Sequence, residues 1–317
     1  MSALALASQA AGILLAIALA PLLAGWVAQC RAWLQNRSAP PLVQPYRTLR
    51  KLFRKDAVLA TDASPLFRAT PYVVFGTMTL AAAIIPSVTT DLPMARVADA
   101  IALVGLFATA RVFIALAAMD IGTVFGSMGA RREMMVGFLA EPALLMVLFN
   151  AFLMFGSTAL PTVAEGTLTA DGLILHPSLA FAGLAFVMVL LAENARIPID
   201  NPATHLEVTM IHEAMVLEYS ARHLALIEWA SWLKLFNYAC IGFALFVPWG
   251  IALHDADSLT LLIAVVMLVA KLAVAGSALA VIETVSAKLR IFRAPEFLSM
   301  AFLLAVLGLL VHLLLRS

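Results

Sequence analysis

Apolar stretches about twenty residues long recur along this chain, and they dictate its surroundings before any other feature does. A run of that length crosses the roughly 30 Å hydrocarbon core of a bilayer as an α-helix. No water is available there, so backbone N–H and C=O groups must be satisfied within the chain. Eight such runs are predicted, at about 3–29, 70–90, 97–119, 139–160, 173–193, 224–249, 258–283 and 295–315. They are continuous rather than alternating, which argues against a membrane β-barrel. The composition agrees: 63% of residues are hydrophobic and 12% charged, against about 45–50% and about 25% in soluble domains. The expected fold is an all-α integral membrane protein, one membrane domain over 1–317. The first run has no basic residues before it and is too long for a signal-peptide core, so it reads as a retained span.

Basic residues give the orientation. Fifteen of the twenty Lys and Arg residues fall in loops one, three, five and seven, whereas loops two, four and six together offer Arg96. The positive-inside rule then places the odd loops in the cytoplasm and both termini outside. Loop one is long, and Leu42–Lys55 within it is amphipathic. Tyr46, Leu49, Leu52 and Phe53 share one face, and Arg47, Arg50, Lys51 and Arg54 the other. This pattern predicts a helix on the inner membrane surface, as topology-setting charge or as a docking surface for a partner.

Charges inside the apolar runs are costly and therefore informative. The third run contains Arg111 and leads through Asp120 and Arg132 to Glu133 and Glu141. Gly122, Gly126, Gly129 and Gly137 allow irregular or closely packed backbone there, and the four charges nearest them suggest a polar interior. Loops four and six look like plain outer connections. Lys234 and Lys271 fall within the sixth and seventh runs. Snorkelling can rescue Lys234, while Lys271, near mid-run, needs a carboxylate partner or a lowered pKa.

The densest acidic segment is Ala192–Ser220, with Glu193, Arg196, Asp200, Glu207, Glu213 and Glu218. Pro198 and Pro202 break any helix leaving the fifth run, and a second helix is expected from about Ala203 to Tyr219, capped by Asp200 or Asn201. Glu207 and Glu218, eleven residues apart, return to nearly one azimuth. Carboxylates crowded near one another or near lipid can carry protons near neutral pH. Arg196 acts in the opposite sense by pairing.

Several chemistries lack their residues. His205 and His212 lie two turns apart, about 10 Å on a helix, too far to share one metal ion, and each reads as a polar residue in a helix interface. His212-Glu213 lacks the second histidine of a zincin motif. Cys30 and Cys240 form no CxxC pattern and read as small hydrophobes, so no iron–sulfur cluster is expected in this chain. Neither a phosphate loop nor a Ser/His/Asp arrangement is present. The basic residues make no nucleic-acid surface. Catalysis confined to this chain is not expected.

These residues resemble a known family, that of the NADH-quinone oxidoreductase membrane subunit of complex I on which the redox arm is seated. The resemblance is nearer on its branch of formate hydrogenlyase subunit 4 and the membrane subunit of hydrogenase-4. It rests on Gln44, Tyr46, Arg47, Lys51 and Leu52, on Phe67–Pro71, and on Arg111, Asp120, Gly122, Gly129, Arg132, Glu133, Gly137, Glu141 and Pro142. It continues through Glu193, Arg196, Pro198, Asp200, Glu207 and Glu218-Tyr219-Ser220. The resemblance implies a non-catalytic heel subunit of an oxidoreductase complex in a prokaryotic inner membrane. Such a subunit joins a peripheral redox arm, with a cluster-bearing small subunit and a large catalytic subunit, to antiporter-like membrane subunits. Iron–sulfur clusters and a nickel–iron centre would belong to those partners, and this chain would hold no cofactor. Its buried acids would couple electron transfer to proton or sodium movement.

The expected coupling residues are Glu193, Arg196, Asp200, Glu207, Glu213, Glu218, Glu141 and Lys271. A polar interior and docking role is expected of Arg47, Lys51, Arg111, Asp120, Arg132 and Glu133. Where the family pattern is commonly acidic this chain has Ala203 and His205, and the gap before Glu218 is about one helical turn longer. Those departures leave quinone binding outside what the resemblance supports. Two other readings remain: a stand-alone ion or solute transporter, weakened by the lack of an internal repeat, and a purely structural anchor for a soluble redox enzyme.

Overall fold

Capping residues mark several of the helix boundaries in this protein. The computed structural model describes residues 3–60, 62–96, 99–169, 177–196, 211–253, 257–286 and 293–316. Eleven α-helices occur among them: α1 (Ala3–Leu34), α2 (Gln44–Phe53), α3 (Pro65–Ile84), α4 (Ala100–Asp120), α5 (Val124–Phe155), α6 (Leu160–Thr169), α7 (Pro177–Glu193), α8 (His212–Val216), α9 (Ala221–Phe246), α10 (Ser258–Val285) and α11 (Ala294–Arg316). Ser64 caps α3 by accepting from the Leu66 amide at 3.1 Å, with Pro65 at the first helical position. Asp99 caps α4 by accepting from the amides of Ile101 and Ala102. Thr123 caps α5, and Gly156, with φ 67°, closes it in the left-handed conformation.

A helix stands at each of the eight predicted spans. Five are long and apolar enough to cross a membrane: Leu6–Leu34, Ala100–Asp120, Val124–Phe155, Ser258–Val285 and Ala294–Leu315. The other three positions are filled by α3, α7 and α9. No strand occurs among the described residues, apart from an isolated bridge between Thr89 and Ala252.

The structure corrects the expectation for loop three. The turn after α4 is confined to residues 121–123, and α5 then runs unbroken through Arg131, Arg132, Glu133 and Glu141. Charge does not itself stop a helix, and Glu133 and Glu141 find a partner in Arg111. The glycines there permit close approach within a regular helix. A Cβ on Gly129 would stand 2.8 Å from the Ile211 carbonyl oxygen and 2.9 Å from the Ala214 Cβ. Likewise, the connection after α5 carries the ten-residue helix α6 rather than a plain loop. The expected helix from Ala203 to Tyr219 is described at α8 alone; Asp200, Glu207, His205 and the predicted break at Pro198 and Pro202 lie outside the described residues.

The packing falls into two groups that meet at α4 and α5. Helices α3, α4 and α9 pack together with α1, whose other side carries α10, while α5, α7 and α11 form the second group. Phe107 of α4 stacks on Tyr238 of α9 at 5.0 Å, both fully buried. Buried amides bridge helices: Asn237 Nδ2 donates to the Met78 carbonyl at 2.9 Å, and Asn150 Nδ2 to the Ala305 carbonyl at 2.8 Å. Such interhelical bonds contribute where lipid supplies no hydrophobic drive between helices. Helix α2 is amphipathic as predicted and packs on α1 and α9. Leu49 is buried, Arg47, Arg50 and Lys51 are exposed, and the Tyr46 hydroxyl donates to the Ala18 carbonyl.

Candidate functional site

Arg111 lies in α4 about 14 Å of helix axis before Asp120. Its side chain is 4% exposed, so the guanidinium must be compensated by the protein. Three carboxylates do this. Nε faces Glu133 Oε1 at 3.3 Å, Nη1 bonds Glu141, and Nη2 bonds Glu193. Glu133 and Glu141 lie eight residues, about two turns, apart on α5, and Glu193 is the last residue of α7.

Room for the guanidinium comes from Gly137, midway between the two glutamates. A Cβ there would lie 2.5 Å from Arg111 Nη1 and 2.7 Å from its Cδ. The sequence signal for this glycine was present, but its purpose is the accommodation of a side chain rather than irregular backbone.

The network extends on two sides. Lys234 of α9 places Nζ 2.8 Å from Glu193 Oε2, so it is ion-paired inside the protein rather than snorkelling as expected. On the other side His212, the first residue of α8, places Nε2 3.2 Å from Glu133 Oε2. Among the described residues the ion pairs around Arg111 join two cations, Arg111 and Lys234, to three carboxylates, Glu133, Glu141 and Glu193. Tyr238 is buried beside Glu193.

A second cluster follows directly after α7. Arg196 Nη1 donates to Glu283 Oε1 at 3.0 Å, and Arg31 Nη1 stands 3.5 Å from Glu283 Oε2. Glu283 is 4% exposed. Between Glu193 and Arg196 the backbone passes through Ala195 at φ 51°, a left-handed conformation unusual for a residue with a Cβ.

The predicted site residues therefore divide. Glu193, Glu141, Arg111 and Glu133 meet in one network, and Arg196 joins the second cluster. Asp120 is exposed and accepts from the Ser64 amide at 3.1 Å, outside the polar interior expected for it. Glu213 and Glu218 are exposed, so neither enters the buried network. Of the two remedies expected for Lys271, a carboxylate partner is not the one seen among the described residues. Its Nζ donates to the Val247 carbonyl at 2.6 Å, at the C-terminal end of α9, and lies 5.6 Å from the centre of the Phe243 ring. A helix end supplies an acceptor carbonyl with no partner of its own, which replaces the anion. Arg132 sits half-buried on α5.

Lys234, His212 and Glu283 were missed as members of the site. The cost of a charge within an apolar run is the signal that would have found Lys234 and Glu283. Among the described residues no group of three His, Cys, Asp or Glu side chains is placed to hold a metal ion.

Comparison with known proteins agrees with this arrangement of helices. Residues 8–314 match the family model described as NADH dehydrogenase. The chain is 33% identical to formate hydrogenlyase subunit 4 of Escherichia coli K12 over 283 residues, covering 89% of this chain and 91% of that one. It is 34% identical over 232 residues to hydrogenase-4 component C of the same organism, covering 73% and 72%. In fold it is similar to a chain of the membrane-bound sulfane sulfur reductase, an archaeal respiratory membrane complex, with a TM-score of 0.82 at 18% identity over 96% of this chain and 98% of the other. The chain therefore belongs to the NADH dehydrogenase family of complex I-like membrane subunits, alongside formate hydrogenlyase subunit 4 and hydrogenase-4 component C.

Proposed function

We propose that this chain is the membrane heel subunit of a complex I-like, hydrogenase-type oxidoreductase, anchoring a peripheral redox arm and coupling its electron transfer to proton or sodium movement. Family membership supports the place in such a complex. The observation that carries the coupling role is the Arg111 network, five ionisable groups from four helices meeting in a largely apolar interior. A structural ion pair needs two groups. A network of several mutually interacting ionisable groups can change its proton count when a neighbouring charge changes, which is what coupling requires.

In this reading all eight helices span the bilayer, the odd loops face the cytoplasm, and the exposed Arg47 and Lys51 of α2 face a partner or the lipid surface. Iron–sulfur clusters and a nickel–iron centre belong to the small and large subunits of the redox arm, and antiporter-like subunits adjoin this chain within the membrane. Catalysis of the redox reaction belongs to those partners.

The test is Glu193→Gln, with Glu141→Gln as a milder companion because Glu141 is one-third exposed. Intact complexes are sealed into vesicles, and ion uptake is measured per electron transferred. A marked fall in that ratio is expected in both. An unchanged ratio in assembled complexes would leave the chain as a structural anchor and overturn the coupling role.

A further inference from the structure

Protein interiors leave few voids larger than a water molecule, yet a cavity of about 370 Å³ lies between α1, α7, α9 and α10. Helix α7 packs chiefly on α5 and α11, and α10 on α1, which leaves a gap between the two in front of α9. Phe186 and Val187 of α7, Ala239 and Phe243 of α9, and Ala275 of α10 are among its walls, and every residue lining it is apolar. Water finds no partners in such a space. The cavity follows α9 from Leu235 to Val247, about 18 Å of helix axis, against about 15 Å for one leaflet of the hydrocarbon core. Val187 and Val247 are 39% and 38% exposed, so the cavity opens to the outside of the bundle, where the bilayer lies.

A cation marks one end of it. Lys271 stands one turn before Ala275 and two before Leu279, on the face of α10 that lines the cavity. Its two described partners, the Val247 carbonyl and the Phe243 ring, are both cavity walls. An ammonium carries three N–H donors, and the carbonyl takes one. Beyond Val247 the chain leaves helical form through Pro248 and Gly250, the latter at φ 82°, and Trp249 is exposed. Irregular backbone facing lipid belongs at the edge of the hydrocarbon core, the level that tryptophan also favours. The ammonium therefore reaches the membrane interface, although Lys271 itself lies at mid-helix.

We infer that this cavity holds an acyl chain of an anionic phospholipid, with the lipid phosphate bound by Lys271 Nζ at the mouth between α9 and α10. Such a lipid supplies methylenes for a dry apolar space and an anion for a lysine that meets a carbonyl and a ring. The inference takes from the proposed function only that α9 and α10 cross the bilayer; ion coupling plays no part in it.

Photo-labelling of the intact complex tests it. The complex is reconstituted into phosphatidylcholine vesicles doped with either phosphatidylglycerol or phosphatidylcholine carrying a diazirine near the end of one acyl chain. After irradiation the labelled peptides are mapped by mass spectrometry. Label is expected around Leu235 and Leu279, at the far end of the cavity from Lys271, and about fivefold more from phosphatidylglycerol than from phosphatidylcholine. Label elsewhere on the complex should show no such preference. Lys271→Met should erase the preference at the cavity. Ala239→Phe and Ala275→Phe, which fill the cavity from different walls, should erase the label there and leave the rest.

In the unmodified complex, two results overturn the proposal whatever the variants do. One is the absence of label at the cavity, as when a side chain of an adjoining subunit fills it. The other is equal labelling by the two lipids. A preference that survives Lys271→Met overturns the phosphate contact. Ion uptake is read separately: a fall in Glu193→Gln with no label at the cavity refutes the lipid site alone, and specific label with unchanged uptake in Glu193→Gln refutes the coupling role alone.

Discussion

Gly137→Ala is a one-carbon perturbation with a calculable consequence. The added Cβ would sit 2.5, 2.7 and 2.8 Å from Nη1, Cδ and Cζ of Arg111, well inside van der Waals contact. An arginine tip is ordinarily free to move aside. Here it is pinned by Glu133, Glu141 and Glu193, so moving away from the methyl group lengthens at least one ion pair. Overpacking alone costs about 1–3 kcal/mol, and breaking one partner from a buried ion pair about 3–5 kcal/mol. Partial displacement should fall between these, at about 2–4 kcal/mol. Gly105→Ala on α4 is the control, because nothing lies within 4 Å of a Cβ there, and Gly to Ala in a helix interior ordinarily gains about 0.5–1 kcal/mol. The assay is thermal melting of the purified complex in detergent, each variant against wild type. Gly137→Ala should melt clearly lower and Gly105→Ala at or slightly above wild type. Equal melting of Gly137→Ala and wild type, or equal damage from both substitutions, would refute the argument that this glycine makes room for the guanidinium.

Other substitutions probe the remaining contacts. Lys234→Met deprives Glu193 of the cation at 2.8 Å and should destabilise by about 3 kcal/mol. The double variant with Glu193→Gln should recover part of that loss, and a coupling energy below about 0.5 kcal/mol in the melting cycle would show the pair to be independent. Tyr219 is stacked on Phe67 at 4.0 Å and its hydroxyl donates to the Phe67 carbonyl at 3.1 Å, so Tyr219→Phe should cost about 1 kcal/mol. Burial holds that phenol above its usual value. Its contribution is therefore complete below the unfolded value of about 10 and is lost as pH rises through the higher folded value. The alkaline fall in melting temperature should be shallower in Tyr219→Phe than in wild type. Lys271→Met removes the donor to the Val247 carbonyl and should lower stability by about 1 kcal/mol. A loss above about 3 kcal/mol would point instead to an ion pair.

Hydropathy made the helices legible, because the requirement for a long apolar run is local and each run is contiguous. Boundaries were less so. The charges of Arg131, Arg132, Glu133 and Glu141 made the first half of α5 look like a loop, yet Thr123 already caps a helix there. The need to compensate Arg111 could be read from its position. The identity of its partners could not, because Glu193 lies 82 residues further along the chain and no spacing rule connects them. Lys234 was misjudged for a related reason: a long side chain has two remedies, reaching the interface or meeting a carboxylate, and only tertiary packing selects between them. Glu213 and Glu218 show the converse. They share their stretch of sequence with Glu193, but α7 ends at Glu193 in the interior while α8 and the turn after it turn these acids outward.

The turn at residues 121–123 also bears on how the protein is made. A helix carrying an arginine at its centre enters the bilayer at an expense of about 2.5–3.5 kcal/mol on translocon scales. Because so few residues separate α4 from α5, Arg111 can meet Glu133 and Glu141 as soon as α5 is synthesised. The two helices can enter as a hairpin in which the arginine is already paired. Glu193 and Lys234 emerge later and, by their pairing, close α7 and α9 onto that hairpin. The order of the charges along the chain is thus an order of assembly, with the first pair of helices forming the mould into which the later ones set.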